Sequence, residues 1–277
     1  EVTRTYATYL DIEFEEMPVG EDGRTVVPEI GDDVIAVVLQ QPSFFGVIED
    51  LQSAGSRVAD TGAKFIVATA EPLALALTTP PGEAGADIVV GDLQSFGNGT
   101  NFGGPLVGFM ACRDRDKRNL PGRLAGETVD ADGKRGYVLT LSTREQHIRR
   151  AKATSNICTN EALCALAACI HMCSLGRNGL AELARHNLAK ASYARDALVA
   201  AGARLVYSAS MFNEFVIDVG RDAAAVVGAC AAKGIIPGVA LGRFDPLRAT
   251  QLLVCATEVH SRAQIDRLAA VLGEVTT

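Results

Sequence analysis

Residues 85–109 have the pattern of a catalytic strand and its loop, but they contain no catalytic side chain. The apolar run at residues 88–90 precedes a polar, glycine-rich segment, and a second apolar run begins at Leu106. In α/β enzymes, reactive side chains lie just beyond the carboxyl end of a buried strand. Here Asp87 and Asp92 are the only ionisable residues, and Lys, His and Cys are missing. We therefore expect no reactive group at the position where the fold would place one.

The glycine-rich segment GNGTNFGG, residues 97–104, could form an anion site. Backbone N–H groups of such a loop can surround a phosphate. However, the segment lacks the Lys and the GK[ST] ending of a P-loop, and it contains no GxGxxG pattern. A tight turn between two strands is therefore the favoured interpretation, and an anion loop is the alternative.

A basic cluster in REQHIRRAKATSN leaves two interpretations open. Its cationic or titratable members are Arg144, His147, Arg149, Arg150 and Lys152. Charge clusters of this kind usually form a solvated face. Directly after this one come Thr154, Ser155 and Asn156. Hydroxyl and amide groups next to Arg and Lys are the groups that bind a phosphate, so an anion or partner site is the second interpretation.

Nucleophile, metal and carboxylate sites find weaker support. Ser95 and the cysteines have no His at a useful spacing, and the four histidines lie on helix-like segments. Cys169 and Cys173 flank His171, but their run resembles a buried helix, so a core role is favoured over a metal site. Arg243 could bind a carboxylate through its guanidinium, although a surface ion pair with Asp245 is the simpler interpretation.

Composition excludes several classes of protein. The chain has 277 residues, a net charge of −7, only 5% aromatic residues and no Trp. The absence of a basic stripe argues against nucleic-acid binding, and the short apolar runs predict no membrane span. Seven cysteines, an odd number in a long chain, argue against a disulfide framework and favour a reducing, cytoplasmic compartment.

Strands and helices alternate in the first half of the chain, which predicts an α/β fold with a mostly parallel sheet. DIEFEEMPV alternates like a half-buried strand, and VIAVVLQ resembles a strand buried on both faces. A helix is expected to start at Pro42 and Ser43 and to stop at Gly55. KFIVATA, ADIVVGD and LVGFMACR are further strands.

The second half predicts a long helix and a separate small domain. A polar, glycine-rich loop with a turn at DADGKRG precedes a helix over residues 160–200, interrupted at residues 176–179. ARLVYSA, NEFVIDVG, GIIPGVAL and QLLVCATE are short strands, accompanied by two helices. We expect residues 1–180 to form part of a large domain with an interdomain helix, and residues 181–277 a small C-terminal α+β domain. Because the sequence opens without Met, its N-terminal part is expected to be missing.

Several segments resemble the glycine cleavage system P-protein family, the decarboxylating glycine dehydrogenases, and within it the α chain of the split bacterial enzyme. QQPSFFGVIED is similar to a helix-start motif of that family, and AEPLALALTTPPGEAGADIVVGDLQSFGNGTNFGGPLVGF to its central segment. LPGRLAGETVDADGKRGYVLTLSTREQHIRRAKATSNICTNEAL is the most specific match. The resemblance runs from about Pro42 to the C-terminus.

The resemblance implies a pyridoxal-phosphate (PLP) transferase architecture of fold type I. It also places Ser95 where the catalytic chain of the family has the Lys that holds PLP. This chain would then contain no catalytic residue, and PLP would be held covalently by a partner β subunit in a heterotetramer. Thr154, Ser155 and Asn156 would contact the phosphate of that PLP. The complex would decarboxylate glycine and pass the aminomethyl group to the lipoylated H-protein.

Two other functions remain open at this point. The chain could be an independent small-molecule enzyme of the aminotransferase fold that uses an unexpected residue. It could also be an inactive scaffold fragment. Six lysines are present, but none follows a predicted strand at the expected place: Lys64, Lys117, Lys134, Lys152, Lys190 and Lys233. This favours the subunit interpretation.

Overall fold

The computed structural model describes residues 2–101, 103–153 and 161–276. Its strands are β1 Ala36–Gln40, β2 Lys64–Thr69, β3 Ile88–Asp92, β4 Gly108–Cys112, β5 Leu124–Val129, β6 Arg135–Thr140, β7 Arg204–Leu205, β8 Glu214–Asp218, β9 Val239–Ala240 and β10 Gln251–Cys255. Its α-helices are α1 Val2–Tyr6, α2 Leu51–Val58, α3 Gln146–Arg149, α4 Ala162–Ala200, α5 Ala223–Ala232 and α6 Arg262–Thr276.

The first sheet has the order β1-β2-β3-β4 and is mostly parallel, as predicted. β1 pairs with β2 and β2 with β3 in parallel, whereas β4 runs antiparallel to β3. Val37 and Leu39 of β1 and Phe65 and Val67 of β2 form a core with helix α2. Because the first three strands are parallel, their carboxyl ends all lie at the same edge of the sheet.

Only one face of β1 is covered, which corrects the prediction that this strand is buried on both faces. Val37 and Leu39 are buried, but Val38 between them is 52% exposed. Alternate side chains of a strand point to opposite faces, and α2 packs on the Val37 side alone. The continuous apolar run therefore indicated a strand correctly but overstated its burial.

Helix α2 begins eight residues later than predicted. Asp50 caps it by accepting a hydrogen bond from the Ser53 N–H at 3.0 Å. Ser43 instead belongs to a turn, in which its N–H donates to the Val47 carbonyl at 2.8 Å. Gly55 does not stop the helix; a Cβ on it would lie 1.9 Å from the Ala84 carbonyl oxygen. This glycine permits close contact of helix and loop.

The predicted strand DIEFEEMPV does not form. Residues 11–18 have no regular structure, and nearby only an isolated bridge joins Val19 to Thr25. A strand needs a neighbour to satisfy its backbone hydrogen bonds, and no other described segment lies alongside this one as a ladder. The alternation of apolar and polar residues was therefore a misleading signal here.

The predicted polar loop contains a hairpin that the sequence reasoning missed. β5 and β6 pair in antiparallel register from Leu124–Thr140 to Val129–Arg135. The turn falls at DADGK as predicted, where Asp130 Oδ1 accepts hydrogen bonds from the N–H groups of Asp132 and Lys134, both at 2.9 Å. The strands themselves were missed because the segment as a whole is rich in glycine and charge, although β6 contains the apolar run Tyr137 to Leu139, which is exposed.

The C-terminal part forms an antiparallel sheet of order β7-β8-β10-β9, at the four predicted places. Its inward side chains, among them Phe215, Ile217, Leu252 and Val254, pack against α5, α6 and the end of α4. The α+β character of this part is thus as expected. The boundary at residue 181 remains a prediction, because α4 runs through it without ending.

Helix α4 is interrupted where predicted. Gly176 has a φ of 62° and a ψ of −176°, in the middle of 39 residues. By length and composition, α4 is the one helix of the described residues that could cross a membrane. A core helix passes the same test; only 11% of the apolar stretch that passes it is buried, whereas Ala184, Ala191 and Leu198 in the second half of α4 are buried inside the protein.

The first half of α4 corrects the prediction of buried cysteines. Cys164 is buried, but Cys169 and Cys173 are exposed. Leu163 and Ile170 on the same half are also largely exposed. The described residues offer no group of three metal-ligating side chains.

Candidate functional site

The turn after β3 carries Ser95 at the carboxyl edge of the first sheet. Asp92, the last residue of β3, accepts a hydrogen bond on Oδ1 from the Gln94 N–H at 2.7 Å. The Phe96 N–H then donates to the Leu93 carbonyl at 3.0 Å. Ser95 itself is exposed, and no hydrogen bond to its hydroxyl is found in the described residues. The turn thus presents a small hydroxyl to solvent.

Protein contacts alone hold this turn in place. Phe96 is buried beneath it, and its ring is stacked on His171 of α4 with centroids 6.1 Å apart. The side-chain amide of Asn98 donates to the Cys164 carbonyl of the same helix at 3.4 Å. The segment that follows links β3 to antiparallel β4, so residues 97–104 do lie between two strands, but the connection spans residues 93–107 and is not the tight turn that was favoured. Phe102 lies outside the described residues.

No lysine follows β1, β2 or β3. Lys64 stands at the amino end of β2, where its Nζ pairs with Asp116 Oδ2 at 2.9 Å. Lys117 and Lys233 pair with Asp114 and Glu274. The other three lie in the hairpin turn, after α3 and in α4: Lys134, Lys152 and Lys190. The carboxyl edge therefore has no amine directly after any parallel strand.

The histidines offer no general base paired with a nucleophile among the described residues. His171 Nε2 is buried without a partner. His186 lies 3.7 Å from Glu182, and His260 Nδ1 accepts from the Thr257 N–H at 3.0 Å. These are local contacts on helices and a turn, so they indicate structural roles.

Four members of the basic cluster, His147, Arg149, Arg150 and Lys152, are exposed as in a solvated face, whereas Arg144 is partly buried. Arg144 donates to the Leu120 carbonyl, and its Nε and Nη2 are buried without partners. The side chain of the adjacent Glu145 is only 10% exposed, and its Oε2 lies 3.6 Å from Arg123 Nε and 3.7 Å from His147 Nδ1. Arg144 therefore has two buried donors without an acceptor. Thr154, Ser155 and Asn156, the predicted phosphate ligands, lie outside the described residues.

Arg243 does not pair with Asp245 as the simpler interpretation supposed. Its guanidinium lies over the Phe244 ring, 5.1 Å from the centroid. Asp245 Oδ1 instead accepts from the Leu247 N–H at 3.0 Å, and Oδ2 lies 3.6 Å from Arg248. Arg248, which the sequence reasoning missed, stacks 4.4 Å from the Phe45 ring. This geometry does not test the prediction that Arg243 binds a carboxylate.

Carboxylates are the other groups that the sequence reasoning missed at this edge. Glu71, just past β2, caps the 3-10 helix Pro72–Ala76 and accepts from the Asn213 amide at 3.2 Å. Glu214 begins β8 beside it. Burial, and then the charge of Glu71, raise the pKa of Glu214 above its usual value. Glu71 and Asn213 are 142 residues apart, so no local pattern could have joined them.

Comparison with known proteins gives the family. Residues 1–272 match the family described as Glycine cleavage system P-protein. The chain belongs to the P-protein family. The probable glycine dehydrogenase (decarboxylating) subunit 1 of Desulfotalea psychrophila is 45% identical over 270 residues, which is 97% of this chain and 60% of that protein. The protein of the same name from Geobacillus kaustophilus is 47% identical over 277 residues, covering 99% of this chain and 62% of that one.

Solved structures agree with this P-protein assignment. A glycine decarboxylase (P-protein) of the glycine cleavage system, in inhibitor-bound form, superposes with a TM-score of 0.92 at 39% identity. That match covers 99% of this chain and 62% of the solved one. A cysteine desulfurase from Thermococcus onnurineus NA1 superposes with a TM-score of 0.67 at 18% identity and shows the shared fold alone. The fold type I architecture expected from the sequence is confirmed. This P-protein chain spans about three-fifths of its relatives' length.

The described residues of this P-protein chain do not fit a covalently held PLP. An imine needs a primary amine, and the residue exposed after β3 is a serine, whose hydroxyl cannot form one. The carboxylates of Glu71 and Glu214 at the same edge would also repel a phosphate. This edge of the sheet therefore presents carboxylates, and it has no primary amine that could form an imine with PLP.

Proposed function

We propose that this chain is subunit 1 of a decarboxylating glycine dehydrogenase and works with a second subunit that holds PLP on a lysine. The single observation that carries the proposal is Ser95, the exposed residue on the turn after β3, to which the family resemblance assigns the position of the reactive lysine of the catalytic chain. The relatives at 45–47% identity carry the subunit name, which supports this role. On this proposal the chain contributes no catalytic residue.

The contribution of this chain would be to complete the partner's site. In our proposal Thr154, Ser155 and Asn156 bind the phosphate of the PLP in the partner. Two hydroxyls and an amide supply the donors that a phosphate needs. The unused Nε and Nη2 of Arg144, ten residues earlier, support an anion at this segment, because buried N–H donors without an acceptor are costly.

The proposed complex removes CO2 from glycine and passes the aminomethyl group to the lipoyl arm of the H-protein, whose disulfide is reduced. PLP in the partner would supply the electron acceptance that the decarboxylation needs. The part of this chain is positional: it holds the phosphate and encloses the partner's site.

Reconstitution tests the proposal. The chain is co-expressed with a second glycine dehydrogenase subunit, and exchange of labelled CO2 into glycine is measured with each subunit alone and with both. We expect activity from the pair and none from this chain. Borohydride should trap phosphopyridoxyl-lysine in the partner only. Trapping on this chain, or full activity of the partner without it, would reject the proposal.

A variant separates the phosphate role from the subunit role. Thr154→Ala should still form the complex but should release PLP more readily during dialysis, and added PLP should restore activity. Thr140→Ala, a hydroxyl lost from the end of β6, is the matched control. Equal PLP retention by the two variants would reject the assignment of Thr154 and leave the subunit role standing.

A further inference from the structure

Two exposed thiols lie on one face of the first half of α4. Cys169 and Cys173 are both exposed and stand four residues apart, in the helical stretch that precedes the interruption at Gly176. Side chains four residues apart on an α-helix are neighbours, with their Cβ atoms about 5–6 Å apart. One small molecule in solution can therefore reach both sulfur atoms. We call Cys169 and Cys173 the helical dithiol.

The two thiols also influence each other. Hydrogen bonding to Cys169, and then the charge of Cys169, raise the pKa of the Cys173 thiol above its usual value. This effect agrees with the short separation that the helix imposes on the pair. The Cys173 thiol therefore stays protonated at neutral pH, and a ligand of the helical dithiol must be able to react with neutral thiols.

The helix keeps the two sulfur atoms from joining directly. A disulfide needs Cβ atoms about 3.5–4.5 Å apart, which is closer than two residues four apart on a regular helix. Formation of a disulfide would therefore require this turn of α4 to bend or unwind. A bridging atom has no such requirement, because two sulfur bonds of about 2.3 Å to a common centre span the gap. The spacing thus favours a ligand held between two thiols over a disulfide.

The surroundings of the helical dithiol limit the kind of bridging atom. The part of the chain that the structure describes contains no group of three metal-ligating side chains. His171 lies between the two cysteines in the sequence, but its ring stacks on Phe96 in the turn after β3. Zinc takes four ligands, or three protein ligands and a water. The bridging atom must therefore be one that needs only two protein sulfurs.

We propose that the helical dithiol binds trivalent arsenic, presented as arsenous acid or as an organic arsenical with two hydroxyls. Each thiol forms one As–S bond, one As–O bond breaks for each, and the two hydroxyls leave with the thiol protons as two waters. Arsenic stays trivalent, so the step needs no oxidant or reductant. The third substituent of arsenic points to solvent, which the exposure of both cysteines permits. The site does not depend on the proposed function, because it needs no second subunit.

Equilibrium dialysis of the chain with phenylarsine oxide, which carries two hydroxyls on arsenic in water, tests the site. The buffer contains excess glutathione, a single thiol that competes with isolated cysteines, and bound arsenic is measured by elemental mass spectrometry. We expect one arsenic per chain, which the dithiol dimercaptopropanol should remove. Cys169→Ser and Cys173→Ser should each bind at least about a hundredfold more weakly, because the second As–S bond is intramolecular only when both thiols are present.

A relocation variant tests the helix face itself. Cys173→Ser combined with Ser174→Cys keeps the number of thiols but moves one of them about 100° around α4, away from Cys169. This variant should bind arsenic as weakly as the single variants, whereas Cys255→Ser, which removes a thiol elsewhere, should bind it like the unchanged chain. Circular dichroism of each variant shows that the fold is retained. Absence of arsenic from the unchanged chain, or equal binding by the relocation variant, would overturn the proposal.

Discussion

The side-chain amide of Asn213 donates a hydrogen bond of 3.2 Å to the carboxylate of Glu71 and so joins the two sheets of the chain. Asn213 is buried, and Glu71 also caps the 3-10 helix that follows β2. A hydrogen bond between distant segments orders both of them, because the donor and the acceptor are each costly to leave unpaired.

Replacement of Asn213 by Ala should destabilise the chain by about 1–3 kcal/mol, because it leaves Glu71 Oε2 without its donor in a partly buried place. Asn213→Asp should be worse, since it adds a third charge beside Glu71 and Glu214. Urea unfolding followed by circular dichroism measures both. Asn119→Ala, at an exposed position, is the control, and a loss of equal size there would contradict the assignment.

Asp87 should make stability depend on pH. Burial alone would raise the pKa of Asp87, but hydrogen bonds from the Phe65 N–H and from Arg115 outweigh it and lower the pKa below its usual value. The ionised form is therefore favoured in the folded state. Its stabilisation is fully present above the pKa of the unfolded chain and is lost as pH falls through the folded pKa.

The variant Asp87→Asn should be less stable than the unchanged chain by about 1–3 kcal/mol at pH 7. The difference should shrink on acidification through the folded pKa. Urea midpoints measured across this pH range give the comparison, with Asp114→Asn as the exposed control. A difference that stays constant down to low pH would show that the charge of Asp87 is not responsible.

Gly55→Ala should destabilise the chain by about 1–3 kcal/mol or more, because the new methyl group would lie 1.9 Å from the Ala84 carbonyl oxygen. In an open helix the same change would be favourable. Gly62→Ala is the matched control, since nothing lies within 4 Å of a Cβ there. Thermal unfolding compares the two, and equal midpoints would mean that α2 and the loop at Ala84 are not in close contact.

Cys255 should resist alkylation. With its pKa raised to about 12 by burial and then by the charges of Glu214, Glu71 and Glu258, the Cys255 thiol holds at pH 8 about a thousandfold less thiolate than an ordinary thiol. Iodoacetamide at pH 8 should therefore modify exposed Cys169 first, as peptide mass spectrometry would show. Glu214→Gln should speed the reaction of Cys255. Equal alkylation rates of Cys255 in the unchanged chain and in the Glu214→Gln variant would show that the charge of Glu214 does not slow the reaction.

The sequence predicted the segments whose signal is local. β2 and β3 lie in short apolar runs, and the interruption of α4 falls at its glycines because few other residues adopt the φ found at Gly176. The strand expected at residues 11–19 failed because a strand depends on a neighbour that its own residues do not encode. The start of α2 was misplaced because the Ser43–Val47 turn competed with the helix start that Pro42 suggested.

Only the part of the candidate site that depends on a single residue could be predicted from the sequence. Ser95 could be identified because it is a serine at the position where the family resemblance leads us to expect a lysine. The carboxylates Glu71, Glu214 and Glu258 could not be grouped from the sequence, because they come from the turn after β2, from β8 and from the turn before α6. Each of them has the appearance of an ordinary surface residue in the sequence, and only the packing of the two sheets brings them together.

The turn that carries Ser95 keeps its shape through Asp92, Phe96 and Asn98, and the side chain at position 95 takes no part in that bracing. The shape of this turn therefore does not depend on which side chain stands at position 95. On the proposed function, in which a second subunit supplies the reactive amine, Ser95 can be exchanged at little structural cost, whereas exchanges at the three bracing positions disturb the turn.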